Sequence, residues 1–149
     1  MDTTRLLDPR RQLLNELMEK INSVVILFAL NKDIPADEEW NKLVRAVDDI
    51  VALEKLAAQM NMGVTLTIYG HTDAIGNDKR NYVLSQERAK TVAALLYARG
   101  SSIPISTYGW GADYADKSEG QVVANAASRK IELRVHLVRQ ANDRINDGS

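Results

Sequence analysis

The 149 residues contain no cysteine. Disulfides, thiol catalysis, cysteine metal sites and lipid attachment through cysteine are thereby excluded for this stretch, while the redox compartment stays open. An excess of one charge is also missing. Lysine plus arginine number 19 and aspartate plus glutamate 20, a net charge of −1, so the basic balance of a generic nucleic-acid binder is absent and no nucleic-acid partner is expected. Long apolar runs are lacking too. The longest, Val24 to Leu30, falls far short of the roughly 20 residues a membrane-spanning helix requires. No apolar core follows Met1-Asp2-Thr3-Thr4-Arg5, so these residues do not read as a signal peptide. There is no Gly-x-Ser-x-Gly elbow, no phosphate loop and no histidine–acid cluster with zinc spacing, and neither metal nor cofactor is expected. What remains, 45% hydrophobic and 26% charged residues, is the composition of one soluble globular domain.

The pattern along the chain is α/β. Asp8 suits a helix N-cap and Pro9 the first helical position, and Leu13, Leu14, Leu17, Met18 and Ile21 follow at helical spacing. Residues 23–30, short and continuously apolar, read as a central strand buried on both faces. Pro35 and the acids Asp37, Glu38 and Glu39 open a second helix. Its apolar stripe, Trp40 through Met60, stops near Gly63. Val64, Leu66 and Ile68 alternate with Thr65, Thr67 and Tyr69 as a strand. A loop from Gly70 to Asp78 leads into a third helix that ends at Gly100. Ile105–Tyr108 reads as a short strand, the stretch to Ser128 as loop with one helical turn at Val122–Ala127, and Lys130–Leu137 as an alternating strand. A four-stranded mixed sheet with helices mainly on one face, after an N-terminal helix, accommodates this order. The end of the chain, residues 141–149, reads as a solvated tail.

One segment carries chemistry. Strand ends in α/β folds are where ligand groups gather, and Asp73 lies just beyond the glycine that ends the second strand. On the next helix Asn81, Leu84, Ser85 and Arg88 share one face at spacings of three, four and seven. Asp73 and Arg88 can therefore meet at the mouth of one groove, beside backbone N–H groups of the helix start. Such a pair suits a zwitterion, its amine on Asp73 and its carboxylate on the Arg88 fork. A plain salt bridge tying loop to helix accounts for the same two residues.

The segment resembles the OmpA-like domain, the peptidoglycan-binding module of outer-membrane proteins, peptidoglycan-associated lipoproteins and flagellar stators. Val64 to Tyr69 followed by Gly70-His71-Thr72-Asp73 is similar to the family's apolar strand and G-H-T-D. Gly76, Asn81, Leu84-Ser85 and Arg88-Ala89 are similar to its G…N…L-S-x-x-R-A, and Gly109-Trp110-Gly111 to its G-x-G. More weakly, Ala126 to Glu132 is similar to A-x-N-R-R-V-E. The resemblance covers about residues 23–138. It implies an OmpA-like β-α-β-α-β-β core and a ligand, the diaminopimelate residue of the peptidoglycan stem peptide. Asp73 would take its amino end and Arg88 its carboxylate, with Thr72, Ala74, Asn81 and nearby amides lining the pocket. Asn31, after the first strand, reaches the groove from below or caps a turn. Two positions depart from the pattern: Ser128 stands where the family has asparagine, and Lys130 where it has a second arginine.

Other residues admit two readings. His71 supports the Asp73 loop, since His136 lies on a different strand and offers no shared site. Trp110 stacks on a sugar or peptide at the rim, or anchors its loop on the core; Tyr108 and Tyr114 are weaker candidates. Glu87 neighbours Arg88 and so points about 100° away around the helix, which argues against a carboxylate pair with Asp73 and against an enzyme. The expectation is thus a non-catalytic peptidoglycan binder on the periplasmic side of a bacterial envelope, an excised domain touching the membrane only through an upstream tether. Residues 1–22 are an extra helix or the end of a linker, residues 23–140 the OmpA-like domain. The alternative is a protein-interaction or oligomerisation module, a homodimer among its forms, that keeps the fold without the wall.

Overall fold

The computed structural model describes residues 8–73, 77–112 and 128–139. Within them run α1 (Pro9–Asn22), β1 (Val25–Leu27), α2 (Asp37–Gln59), β2 (Met62–Gly70), α3 (Asp78–Ala98), β3 (Ile105–Gly109) and β4 (Lys130–Arg139). The strands form one sheet in the order β1-β4-β2-β3. β2 and β3 are parallel neighbours joined by α3. β4 inserts antiparallel between β1 and β2, with Ile131 opposite Ile26 and Leu133 opposite Ile68. The fold is therefore α/β with a mixed four-stranded sheet, as the pattern of elements predicts.

Alternation decides which face is buried. Val64, Leu66 and Ile68 of β2 and Ile131, Leu133 and Val135 of β4 point into a single core. From α2 it receives Leu43, Val47, Ile50 and Leu53. α3 adds Val92 and Leu96, and α1 adds Leu14 and Ile21. The opposite face carries Thr65, Thr67, Tyr69, Tyr108, Glu132, Arg134 and His136. α1 starts where Asp8 and Pro9 predict, with the Asp8 carboxylate accepting the Arg10 N–H at 2.9 Å. Leu14 and Ile21 are buried and Leu17 packs on the core, leaving Leu13 exposed.

The first strand differs from expectation. It is three residues long and lies at the sheet edge. Its apolar run is consumed differently. Ile26 and Phe28 enter the core, while the chain turns away after Leu27. The outer N–H of Leu27 donates to Glu39 Oε1 at 2.8 Å, so the first turn of α2 covers an edge donor that would otherwise be open to pairing. The helical turn expected at Val122–Ala127 and the expected tail at 141–149 lie outside the described residues.

Candidate functional site

The site is built where β2 ends against α3. At Gly70 an added Cβ would sit 1.8 Å from the Ser85 carbonyl oxygen. Only glycine allows this approach of strand to helix. The chain then runs through His71, Thr72 and Asp73, all buried. Backbone bonds hold it on both sides: His71 N–H donates to Lys130 O at 2.8 Å, and Thr72 N–H to Gly111 O at 2.8 Å. The hydroxyl of Ser85 accepts from Gly111 N–H at 2.8 Å, tying the turn after β3 to the same helix.

α3 is positioned by its cap. The Asn77 side chain accepts from Lys79 N–H and Arg80 N–H at 2.8 and 3.2 Å. From this start Asn81, Ser85 and Arg88 fall on the sheet-facing side and are buried, the shared face that their spacing predicts. Farther along, the same face becomes Ala89, Val92 and Leu96. The helix thus buries a polar half at the site and an apolar half in the core.

Arg88 is completely buried. Its Nε donates to Lys32 O at 2.8 Å, Nη1 to His71 O at 2.8 Å and Nη2 to Ala29 O at 3.2 Å. The guanidinium carbon lies 5.0 Å from the centre of the Phe28 ring. Three of its five N–H groups are thus given to backbone carbonyls. Burial pushes its pKa down to about 10; Arg129 acts in the same direction, Asp73 and Asp33 in the opposite one. It is still cationic at neutral pH.

Asp73 is 1% exposed. Its Oδ2 accepts from Arg129 Nη1 at 2.9 Å, and Arg129 Nε donates to Phe28 O at 3.0 Å. The structure therefore brings Asp73 and Arg88 into one electrostatic cluster, but deeper than a groove mouth. The ion pair it shows on the carboxylate comes from Arg129, a residue the motif contains and the spacing argument passed over. The hydroxyl of Thr72 donates to Asp73 O at 3.0 Å and the side-chain amide of Asn81 to the same oxygen at 3.4 Å. Both side chains fix the backbone that carries the acid. Asn31 is exposed with φ of 58°, a left-handed conformation asparagine tolerates well. It lies in the turn whose flanking carbonyls, Ala29 and Lys32, hold Arg88. Ala74 lies outside the described residues, as does Tyr114.

Around this cluster His71 is buried with Nε2 2.8 Å from Glu132 Oε1. Burial lowers its pKa, with Lys130 acting in the same sense and Glu132 opposing. Lys130 Nζ lies 3.9 Å from the same Glu132 oxygen, and Ser128 is buried. His136 is exposed on the helix-free face. Trp110 is not a core anchor. Its ring stacks on Tyr69 at 6.0 Å, and Tyr69 stacks on Tyr108 at 5.8 Å, forming an aromatic row on the helix-free face. Glu87 is exposed and 4.0 Å from Lys90, on the far side of α3 from Asp73.

Comparison with known proteins matches residues 41–129, more than half of the chain, to the OmpA family model. Outer membrane protein A of Serratia marcescens is 29% identical over 124 residues, which is 72% of this chain and 34% of that protein. The chain thus spans about a third of the length of this relative. Among solved structures, the peptidoglycan-associated lipoprotein from Burkholderia pseudomallei aligns with a TM-score of 0.58 and 19% identity over 75% of this chain and 89% of that one. The C-terminal domain of Helicobacter pylori MotB aligns with a TM-score of 0.55 and 20% identity over 83% and 90%. The cell wall anchor of the T6SS from Pseudomonas aeruginosa gives 0.51 and 21% over 86% and 96%. At these identities the structural likeness concerns the fold.

Proposed function

Because the chain belongs to the OmpA family, we propose that it binds peptidoglycan without catalysis, through the diaminopimelate residue of the stem peptide, and anchors an envelope protein to the wall on its periplasmic side. One observation carries the reading: a buried carboxylate, Asp73, lies in one charged cluster with the buried guanidinium of Arg88 and the partly buried one of Arg129. Opposite charges fixed this close suit a ligand end that bears an amine and a carboxylate on one carbon. The amine goes to Asp73 and the carboxylate to the terminal nitrogens of Arg88, each of which has one N–H beyond its carbonyl bond. Asn81 and Thr72 act by holding the Asp73 backbone. The identities of two structural neighbours, a peptidoglycan-associated lipoprotein and a cell wall anchor, support the class of ligand. Glu87, exposed across the helix, supplies no second carboxylate for sugar hydrolysis.

A single amino-acid end buries little surface, so the affinity of one domain is modest. Many copies on a polymeric wall convert it into firm attachment. The test is an NMR titration with a stem peptide containing meso-diaminopimelate. Amide shifts should cluster at residues 71–73, 81–88 and 129, and Asp73→Asn should abolish them while keeping a dispersed spectrum. A wild-type spectrum unmoved at millimolar peptide refutes the proposal and turns attention to a protein partner.

A further inference from the structure

We propose that this pocket selects a diaminopimelate end with a free carboxylate over its amide, and that Arg129 imposes the choice. The inference rests on the peptidoglycan reading and names the chemical form of its ligand. Among the described residues, the charges of the pocket are the buried Asp73 and Arg88 and the partly buried Arg129, two positive and one negative. The charges outside them are weaker influences. Lys32 and Asp33 are exposed neighbours of opposite sign on the loop over Arg88, and water screens both. Lys130, Glu132, Arg134 and His71 form their own cluster, centred on Glu132 at 2.8 to 3.9 Å.

The excess of positive charge is held in place. Arg129 is fixed at two points, its Nε on Phe28 O and its Nη1 on Asp73 Oδ2, with its side chain only 16% exposed. It cannot swing into solvent without giving up both. Arg88 is fixed by three carbonyls. Mutual repulsion of the two guanidinium groups is offset in part by Asp73 and Asp33, and a bound anion relieves it further. A free-acid end is zwitterionic: its amine neutralises against Asp73 and its carboxylate answers the surplus positive charge. Amidation removes that negative charge and leaves a net cation entering a pocket that is already positive. It also exchanges a charge-assisted hydrogen bond for a neutral one, a change of about tenfold in affinity.

The experiment is calorimetric and NMR titration of two synthetic stem peptides, identical except that the terminal diaminopimelate carboxylate is free or amidated. Proteins are wild type, Arg129→Gln and Arg129→Lys, each checked for a dispersed spectrum. The free acid should bind the wild type at least about tenfold more tightly. Arg129→Gln should bring the two peptides to within about threefold, and Arg129→Lys, which keeps the charge, should restore part of the gap. If Arg129 only orients Asp73, Arg129→Gln will weaken both peptides alike and leave their ratio unchanged, which overturns the role assigned to it. Equal wild-type affinity for both peptides overturns the selectivity while leaving peptidoglycan binding intact. Binding of neither peptide removes the reading on which the inference rests. Should the Gln variant not fold, an undiminished ratio in Arg129→Met or an absent one in wild type still decides against it.

Discussion

Replacing Arg88 by alanine should destabilise the fold, quite apart from any ligand, by about 3 kcal/mol. The magnitude comes from what the guanidinium holds. Three carbonyls lose a donor: Lys32 O, His71 O and Ala29 O. They are not equivalent. Ala29 O still accepts from Lys32 N–H at 3.1 Å, and His71 O from Lys130 N–H at 3.3 Å. Each of these two losses costs about 1 kcal/mol. Lys32 O has no second bond among the described residues, but its residue is exposed, so water recovers part of the loss. Removing the cation from over the Phe28 ring, 5.0 Å away, adds roughly another 1 kcal/mol. For a chain of this size the total corresponds to a fall in melting temperature of about 10 °C.

The assay is urea unfolding followed by circular dichroism, with Arg88→Lys beside Arg88→Ala. Lysine offers three donors from one point and cannot span three carbonyls set apart by the fork, so it should recover less than half of the loss. A loss below about 1 kcal/mol in Arg88→Ala would refute the reasoning, because it would mean that the loop over Arg88 rehydrates freely. The prediction also governs how binding data are read. Loss of wall binding in Arg88→Ala is evidence about the pocket only at a temperature where the variant is still folded.

Gly70→Ala should leave little soluble protein at 37 °C, since its Cβ would fall 1.8 Å from a helix carbonyl; a normal yield and an unshifted melt would show that α3 slides away from β2 at small cost. Stability should decline as pH falls below about 6.5. His71 is held neutral by burial, its native pKa below that of the unfolded chain, so the unfolded state takes up the proton first and is favoured. Above that pH the contribution is fully present, and His71→Gln should flatten the slope between pH 7 and 5.5 in urea titrations. Tyr69→Ala should quench the shared packing of Trp110 and Tyr108; a red-shifted tryptophan emission with nearly unchanged peptide affinity is expected, and unchanged emission would place Trp110 elsewhere.

What the sequence reveals of this molecule follows from which interactions leave a pattern. Alternation at Val64, Leu66 and Ile68 and again at Ile131, Leu133 and Val135 reports one-sided burial directly, and both strands lie in the centre of the sheet. The apolar run 23–30 carries no such information. Edge or centre cannot be read from a run whose residues are divided between a short strand, the core and a loop, as Ile26, Leu27 and Phe28 are. The site shows the same division. Asn81, Ser85 and Arg88 share a face because helical spacing requires it, and the glycine before His71 marks the close approach of strand and helix. The partners of Arg88 are backbone carbonyls at Ala29, Lys32 and His71. Every residue type has a carbonyl, so no spacing identifies them. Arg129 was hidden for a different reason. It lies 56 positions from Asp73, and only the insertion of β4 between β1 and β2 delivers it there, a long-range pairing that local periodicity does not encode. The residue that completes the acid's environment is therefore one that topology supplies, and the charge it adds makes the pocket more positive than an Asp–Arg pair alone.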